Sequence, residues 1–408
     1  MTSPVDAVND IRDALSINQL AVVVGTGVTA ASTGMVPTST WRGLIEHGID
    51  RCVSSGARDV AWGDRARADA NSDYELDLIV AAEKATDGLG GRQSPDYRNW
   101  LQDAVGSLEA TDSSLLDMIV ALANEGALIA TTNYDDLLAD ALGWPVVTWR
   151  DPTRLQRVLR GHDRAVVHLH GHWRDPESVV FGASSYADVL RDAGAAMFLK
   201  TTVYARTLLF VGFGAGLHDP NFSNLRRWMR NELALSTYKH YRLVREKDLS
   251  TLRHDPAERI QVVSYGRDYT DLGPFLGALR SGLSSSGLRG LGLEIGGSLA
   301  HSAEPPPAPL RGRAPDPAQV RELLVHAAMF ERIITIADAS DEQAVALAGS
   351  GERLDEYRRF VFLFADELAE VAHMAASHAD LDDVAAEHAL AWARRLAEIS
   401  GNPSEDKP

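Results

Sequence analysis

The sequence predicts a doubly wound parallel α/β sheet followed by a small all-α domain. Short, wholly apolar runs such as Leu20–Val24 recur between helical segments, and glycine or polar residues follow each run. Apolar runs that do not alternate with polar residues are typical of parallel strands buried on both faces. Ligands of such sheets bind in loops at the carboxyl ends of the strands, so we look for function there.

The individual elements are predicted from their apolar patterns and their ends. A helix is expected over Val5 to Leu15, and the first strand, Leu20–Val24, follows it. Another helix is expected over Thr111 to Asn124, with capping residues before it and Gly126 after it. The remaining strands are expected at Ala127–Ala130, Ala165–Leu169, Thr207–Val211 and Gln261–Tyr265.

A stretch rich in proline, glycine and serine divides the chain. Residues 284–317, which include Pro305–Pro307, predict a linker after a first domain of residues 1–283. Beyond the linker, residues 318–400 predict a helical domain. Its apolar residues from Leu354 to Val371 repeat at helical spacings of three and four. Residues 401–408 are expected to form a frayed tail.

Composition and net charge argue against several classes of ligand and location. The 408 residues carry a formal net charge of −17, which argues against direct binding of nucleic acid, because phosphate contacts need clustered lysine and arginine. The single cysteine, Cys52, excludes an intrachain disulfide and a CxxC zinc site, and it favours a reducing cytoplasm. The acidic N-terminal residues do not suit a signal peptide, and no apolar run reaches the ~18 residues of a membrane helix. We therefore expect a soluble, cytoplasmic protein with no membrane partner.

Glycine-rich loops follow two of the predicted strands. The first is Gly25-Thr26-Gly27-Val28-Thr29, directly after Leu20–Val24, and the second is Gly212-Phe213-Gly214, directly after Thr207–Val211. Glycines let a backbone approach a pyrophosphate, and N–H groups at the start of a following helix favour an anion. Each loop taken alone is also compatible with a plain tight turn.

Polar residues follow two other strands. Asn133 and Asp135 come after Ala127–Ala130, where they could share a cleft or cap a helix that begins near Asp136. The run His168-Leu169-His170-Gly171-His172 ends the strand at Ala165–Leu169. A histidine there can reach a cleft, and its ordinary pKa of ~6.5 suits a general base. Three alternating histidines could instead bind a metal, but no further ligand is spaced to complete a site, so none is expected.

Together and in order, the four motifs resemble the sirtuin-type NAD-binding domain, which is Rossmann-like. Thr131–Asp135 is similar to the family's TQNID signature, and His170-Gly171 matches its HG pair. Gly25–Thr29 resembles the GAGxS loop and Gly212–Gly214 the late GTS loop, so the resemblance covers about residues 10–280. Deacetylase members carry a zinc module with two CxxC pairs, which a chain with one cysteine lacks. The sequence therefore looks more like the bacterial antiphage-defence branch of NAD-consuming proteins.

The resemblance implies an NAD+ hydrolase (NADase) that releases nicotinamide and ADP-ribose and depletes cellular NAD in abortive infection. Asn133 and His170 are then the expected catalytic residues, NAD+ is the substrate, and no metal takes part. The resemblance also implies a homo-oligomer and an activator: a HerA-type ATPase, an Argonaute-like protein or a signalling nucleotide. An NAD-dependent protein deacylase and a non-catalytic nucleotide-binding scaffold or sensor are the alternatives. The residues implied in NAD binding are Gly25, Thr26, Gly27, Thr29, Asp135, Gly212, Phe213 and Gly214.

Overall fold

Seven parallel strands form the centre of the protein in a computed structural model that describes residues 4–72, 75–214, 220–249 and 255–280. Their order across the sheet is β3-β4-β2-β1-β5-β6-β7, and every neighbouring pair is parallel. The predicted doubly wound parallel sheet is confirmed. The strands are β1 (Leu20–Val24), β2 (Leu128–Thr131), β3 (Val146–Thr148), β4 (Val166–His168), β5 (Thr207–Val211), β6 (His240–Arg245) and β7 (Ile260–Gly266).

Helices flank the sheet, and six of the described helices lie between β1 and β2 along the chain. Within the described ranges, no helix is both long and apolar enough to cross a membrane. The predicted linker at 284–317, the helical domain at 318–400 and the tail at 401–408 lie outside the described residues. The helices are α1 (Pro4–Ser16), α2 (Thr26–Ser32), α3 (Trp41–Ser54), α4 (Val60–Ala70), α5 (Glu75–Gly88), α6 (Pro95–Leu101, continued by a π-helical turn at Gln102–Gly106), α7 (Ser114–Asn124), α8 (Leu137–Leu142), α9 (Pro152–Leu159), α10 (Ala183–Arg191), α11 (Ala193–Ala205), α12 (Pro220–Glu232) and α13 (Leu272–Arg280).

The strand order places a topological switch point at β1. From β1 the chain fills one side of the sheet with β2, β3 and β4, and it then crosses to β5, β6 and β7 on the other side. Connections that leave in opposite directions open a crevice at the carboxyl ends of the central strands. The loops after β1, β2 and β5 border this crevice, and all three carry motifs singled out in the sequence.

The core has two layers because alternate residues of β1 face opposite sides of the sheet. Val22 and Val24 pack with α1, α7 and α13, whereas Ala21 and Val23 pack with α9, α11 and α12. Burial on both faces explains why the strand is wholly apolar. A third apolar cluster, centred on Trp100, joins α3–α6 to the segment before α10.

Two strands and most of the described helices were not predicted individually. β3 has only three residues, and β6 contains His240 and Arg242, which do not suit an apolar strand although the fold buries both. Helices α4 and α5 bury mainly alanine and glycine along much of their length, and such small side chains leave a weak apolar period. Leu20–Val24 and Thr207–Val211 have the predicted bounds, and the other predicted elements differ by one to three residues at their ends, as in Ser114–Asn124 against Thr111 to Asn124.

Candidate active site

Two cavities open where β1, β2 and β5 end. The first has a volume of about 360 Å³, and its wall includes the expected catalytic residues Asn133 and His170. The second has a volume of about 820 Å³, and it is lined by residues from the first half of α7, the end of β6 and α13. Thr26 and Gly212–Gly214 line both, so the two cavities meet at the glycine loops. The other predicted site residues divide between them: Gly25, Thr29 and Asp135 line the first cavity and Gly27 lines the second.

The two glycine loops pack directly against each other. The Gly25 N–H donates to the Val211 carbonyl and the Gly27 N–H donates to the Gly212 carbonyl, both at 2.9 Å. A Cβ atom on Gly27 would lie only 2.7 Å from the Gly212 oxygen. These glycines are therefore required for loop packing, and their N–H groups are already engaged. A pyrophosphate at this point would meet Thr26, between the two glycines, rather than those N–H groups.

A chain of hydrogen bonds fixes the orientation of the Asn133 side chain. Its Nδ2 donates to the Gly25 carbonyl at 3.1 Å and to the Thr29 hydroxyl at 2.8 Å. The Thr29 hydroxyl in turn donates to Asp135 Oδ2 at 2.7 Å. With both amide hydrogens used, the buried Asn133 Oδ1 has no hydrogen-bond partner among the described residues. A buried acceptor that lines a cavity suits a ligand hydroxyl or a water molecule.

The alternative that both polar residues cap the next helix holds for one of them. Asp135 Oδ1 accepts from the Leu137 N–H at 3.1 Å, at the start of α8. Asn133 points away from that helix and is not a cap. Burial raises the pKa of Asp135, while the hydrogen bonds from Thr29 and Leu137 favour its ionised form and oppose that rise.

The position of His170 depends on the glycine that follows it. Gly171 has φ of +84°, and a Cβ atom there would lie 2.0 Å from the Ser178 carbonyl oxygen. The His170 carbonyl also accepts from the Val180 N–H at 2.7 Å. The ring packs edge-on against Tyr186, with centroids 5.8 Å apart. Burial lowers the pKa of His170 to about 3, so its imidazole is neutral at pH 7.

The three histidines of this segment point to three different places. His168 Nδ1 lies 2.9 Å from the Asn133 carbonyl oxygen, and His172 Nε2 lies 2.9 Å from Asp136 Oδ1. His170 alone lines the first cavity. The three rings therefore do not converge, and nowhere in the described ranges do three or more His, Cys, Asp or Glu side chains cluster in a way that could hold a metal ion.

Helices that were not predicted from the sequence form part of the wall of the first cavity. Leu44 of α3 and Leu78 of α5 form an apolar wall opposite the strand ends. Trp41, at the start of α3, lines the same cavity, and its buried Nε1 has no hydrogen-bond partner among the described residues. A tryptophan just after the first glycine loop is the one sequence signal for this wall, since the leucines look like ordinary helix core.

The geometry can now be compared with known protein families. A model of the SIR2-like domain matches residues 127–268. The match runs from β2 to β7 and includes Asn133, His170 and Gly212–Gly214. The first glycine loop precedes the matched residues, but β1 lies between the matched strands β2 and β5 and brings that loop to the site. The SIR2-like match supports a sirtuin-like domain and fits an NAD-related function in general.

Proposed function

We propose that the protein hydrolyses NAD+ to nicotinamide and ADP-ribose and acts as an antiphage defence effector that depletes cellular NAD. The observation that carries the proposal is that one cavity wall contains both Asn133, whose side-chain amide is held in one orientation, and the neutral imidazole of His170. A site that only binds a nucleotide needs neither group. The SIR2-like match adds support for NAD as the ligand.

The two cavities suit the two halves of a dinucleotide. Binding sites for small molecules commonly enclose about 300–1,000 Å³, and both cavities fall in this range at about 360 and 820 Å³. The nicotinamide riboside would occupy the first cavity, beside Asn133 and His170. The adenosine would occupy the second, and the pyrophosphate would cross at Thr26, which lines both.

The reaction breaks the bond between the ribose C1′ and the nicotinamide nitrogen. Nicotinamide leaves with the bonding electrons, and positive charge develops on the ribose as an oxocarbenium-like ion. Asn133 Oδ1 would accept a hydrogen bond from the attacking water and hold it near C1′. His170 would take the proton that the water loses. Water bonded to a cationic carbon is strongly acidic, so an imidazole of lowered pKa is basic enough for this late transfer.

Asp135 and Thr29 would support the reacting end of the substrate. Asp135 lines the first cavity and is expected to accept from a ribose hydroxyl or the carboxamide of nicotinamide. Its carboxylate accepts a hydrogen bond from Thr29 at Oδ2 and one from Leu137 at Oδ1, and a carboxylate oxygen can accept more than one hydrogen bond. Thr29 would orient Asn133 rather than contact the reacting atoms.

NAD-dependent deacylation is less well supported. The zinc module that shapes the acyl-peptide cleft of the resembled deacetylases needs four cysteines, and this chain has one. We also propose that the protein is a cytoplasmic homo-oligomer whose NAD hydrolysis is raised by a trigger from a low basal rate, because constant hydrolysis at the full rate would kill its host. The activators implied by the resemblance are a HerA-type ATPase, an Argonaute-like protein or a signalling nucleotide. A chain that is monomeric by light scattering and fully active in NAD hydrolysis would contradict the oligomer.

One experiment tests the reaction. The purified full chain is incubated with NAD+, with and without an acyl-lysine peptide, and released nicotinamide is measured. We expect release without peptide, which is lost in Asn133→Ala and His170→Ala and retained in His162→Ala, an exposed histidine outside both cavities. Release that depends on the peptide would instead indicate a deacylase.

A further inference from the structure

We infer that His168 is a positioning residue for Asn133, and that it acts through the Asn133 backbone carbonyl; this inference rests on the proposed NAD+ hydrolysis. His168 lies at the end of β4, opposite Thr131 of β2 in the sheet register. Its ring reaches across to the loop after β2, where Nδ1 lies 2.9 Å from the Asn133 carbonyl oxygen. The side chain is fully buried and lines neither cavity, so it would not touch the substrate.

The hydrogen bond from His168 completes the set that holds Asn133. The Asn133 N–H donates to Thr131 Oγ1 at 3.0 Å, and its side-chain Nδ2 donates to the Thr29 hydroxyl and the Gly25 carbonyl. Thr131 belongs to β2, Gly25 lies between β1 and α2, and Thr29 belongs to α2. His168 is the member of the set that comes from β4, the strand whose following loop carries His170. The hydrogen bond from His168 therefore fixes Asn133 relative to the segment that carries His170, the proposed base.

The tautomer of His168 follows from its partner. A carbonyl oxygen only accepts, so Nδ1 carries the hydrogen and Nε2 is a bare acceptor. That Nε2 is buried and has no hydrogen-bond partner among the described residues. An unsatisfied buried acceptor costs stability, and an apolar side chain of similar size would avoid the cost. The hydrogen bond from Nδ1 to the Asn133 backbone carbonyl therefore explains a histidine at this position better than packing does.

A second histidine holds the ring of the first. His172 packs edge-on against His168, with ring centroids 4.9 Å apart and ring planes at 88°. His172 Nε2 donates to Asp136 Oδ1 at 2.9 Å, and Asp136 Oδ2 accepts from Trp173 Nε1 at 2.7 Å. The Arg174 side chain also donates to Asp136 Oδ2. This anchored neighbour limits rotation of His168 and keeps Nδ1 directed at the carbonyl.

The test compares two substitutions that differ in the donor. Asn places its side-chain N–H close to the position of histidine Nδ1, so His168→Asn keeps the hydrogen bond, whereas His168→Leu removes it. We expect kcat of His168→Leu to fall about tenfold or more with KM within about twofold, because Asn133 shifts while NAD+ contacts stay. His168→Asn should recover kcat to within about threefold of wild type. The melting temperature of His168→Leu at pH 7 should change little, since one unsatisfied buried acceptor, His168 Nε2, is removed while the Asn133 carbonyl loses its donor.

The outcomes separate this inference from the proposed function. An inert wild-type chain, with and without peptide, would contradict the proposed function itself. An active wild type with equal losses in both variants, or with a loss confined to KM or melting temperature, would overturn the positioning role alone. Long-range ¹H–¹⁵N spectra give a readout that needs no activity. We expect the neutral Nδ1–H tautomer for His168, and an Nε2–H tautomer would overturn the geometry on which the inference stands.

Discussion

The side-chain amide of Asn133 donates a hydrogen bond to the Thr29 hydroxyl at 2.8 Å. That hydroxyl has one hydrogen, and it donates it to Asp135 Oδ2 at 2.7 Å. Thr29 can therefore only accept from Asn133, so the amide nitrogen faces Thr29 and the carbonyl oxygen faces away. A single threonine hydroxyl thus sets which end of a proposed catalytic amide is left without a protein partner among the described residues.

Loss of this hydroxyl should impair catalysis more than binding. In Thr29→Val, the Asn133 amide loses one acceptor and Asp135 loses one donor, while side-chain volume is nearly kept. We expect a fall in kcat for NAD+ hydrolysis of about 10–100-fold and a small change in KM, because Asn133 is no longer held in one orientation. Thr29→Ser keeps the hydroxyl and should stay within about threefold of wild type. Equal losses in the two variants would show that the hydroxyl is not what matters.

Contact between the glycine loops should make Gly27 intolerant of a side chain. A Cβ atom in Gly27→Ala would lie 2.7 Å from the Gly212 carbonyl oxygen, whereas nothing lies within 4 Å of a Cβ atom on Gly214. We expect Gly27→Ala to lower the free energy of unfolding by about 1–3 kcal/mol and to weaken NAD+ binding, because the loops must separate. Urea unfolding and calorimetric titration with NAD+ measure the two effects. Gly214→Ala is the matched control for stability, and a similar loss of unfolding free energy there would refute the explanation.

How far the fold could be predicted depends on how each strand is buried. Leu20–Val24 and Thr207–Val211 were predicted with their observed bounds because burial on both faces demands unbroken apolar residues. β6 was missed because its polar residues are satisfied by tertiary partners that no local pattern reveals. His240 Nδ1 accepts from the Leu208 N–H at 3.1 Å, and Arg242 donates to the Gly214 carbonyl.

The sequence predicted which residues meet at the ends of the strands, whereas their roles in binding and catalysis stay predictions. All of the predicted site residues lie at the two cavities, because the carboxyl ends of neighbouring parallel strands share one edge of the sheet. The sequence could not show that the N–H groups of Gly25 and Gly27 are engaged by the loop after β5. The resemblance singled out His170, but the sequence could not show that His170 lines the cavity while the His168 ring contacts a backbone carbonyl. Such distinctions arise from tertiary contacts between distant segments.

The close contact at Gly171 should make it less replaceable than Gly143, a glycine of positive φ with open space around it. Gly171 has φ of +84° and Gly143 has φ of +62°, but only the first has an atom in the way, the Ser178 oxygen at 2.0 Å. Gly143→Ala should cost about 1 kcal/mol of unfolding free energy from backbone strain alone. Gly171→Ala should cost about 2–4 kcal/mol and displace His170, with loss of nicotinamide release. Equal costs in urea unfolding would contradict the steric argument.

Buried histidines should make the protein sensitive to mild acid. Burial lowers the pKa of His168 and of His170 to about 3 and that of His240 to about 4, against ~6.5 in an unfolded chain. Between these values the unfolded state binds more protons than the native state, so unfolding becomes easier as pH falls. The stability is fully present above about pH 6.5 and is lost toward pH 4, by about 1.4 kcal/mol per pH unit for each histidine.

Replacing one of these histidines isolates its contribution from that of the carboxylates. The raised pKa of Asp135 acts in the opposite direction, because its native state binds the extra proton. His168→Leu keeps the contribution of Asp135 and removes one buried imidazole. Between pH 6.5 and 5 the unfolding free energy of the variant should therefore fall less steeply than that of wild type, and the two slopes should differ by about 1.4 kcal/mol per pH unit. Urea unfolding at several pH values gives both slopes. The exposed His162→Leu should match wild type, and an unchanged slope in His168→Leu would mean that His168 is not held neutral by burial.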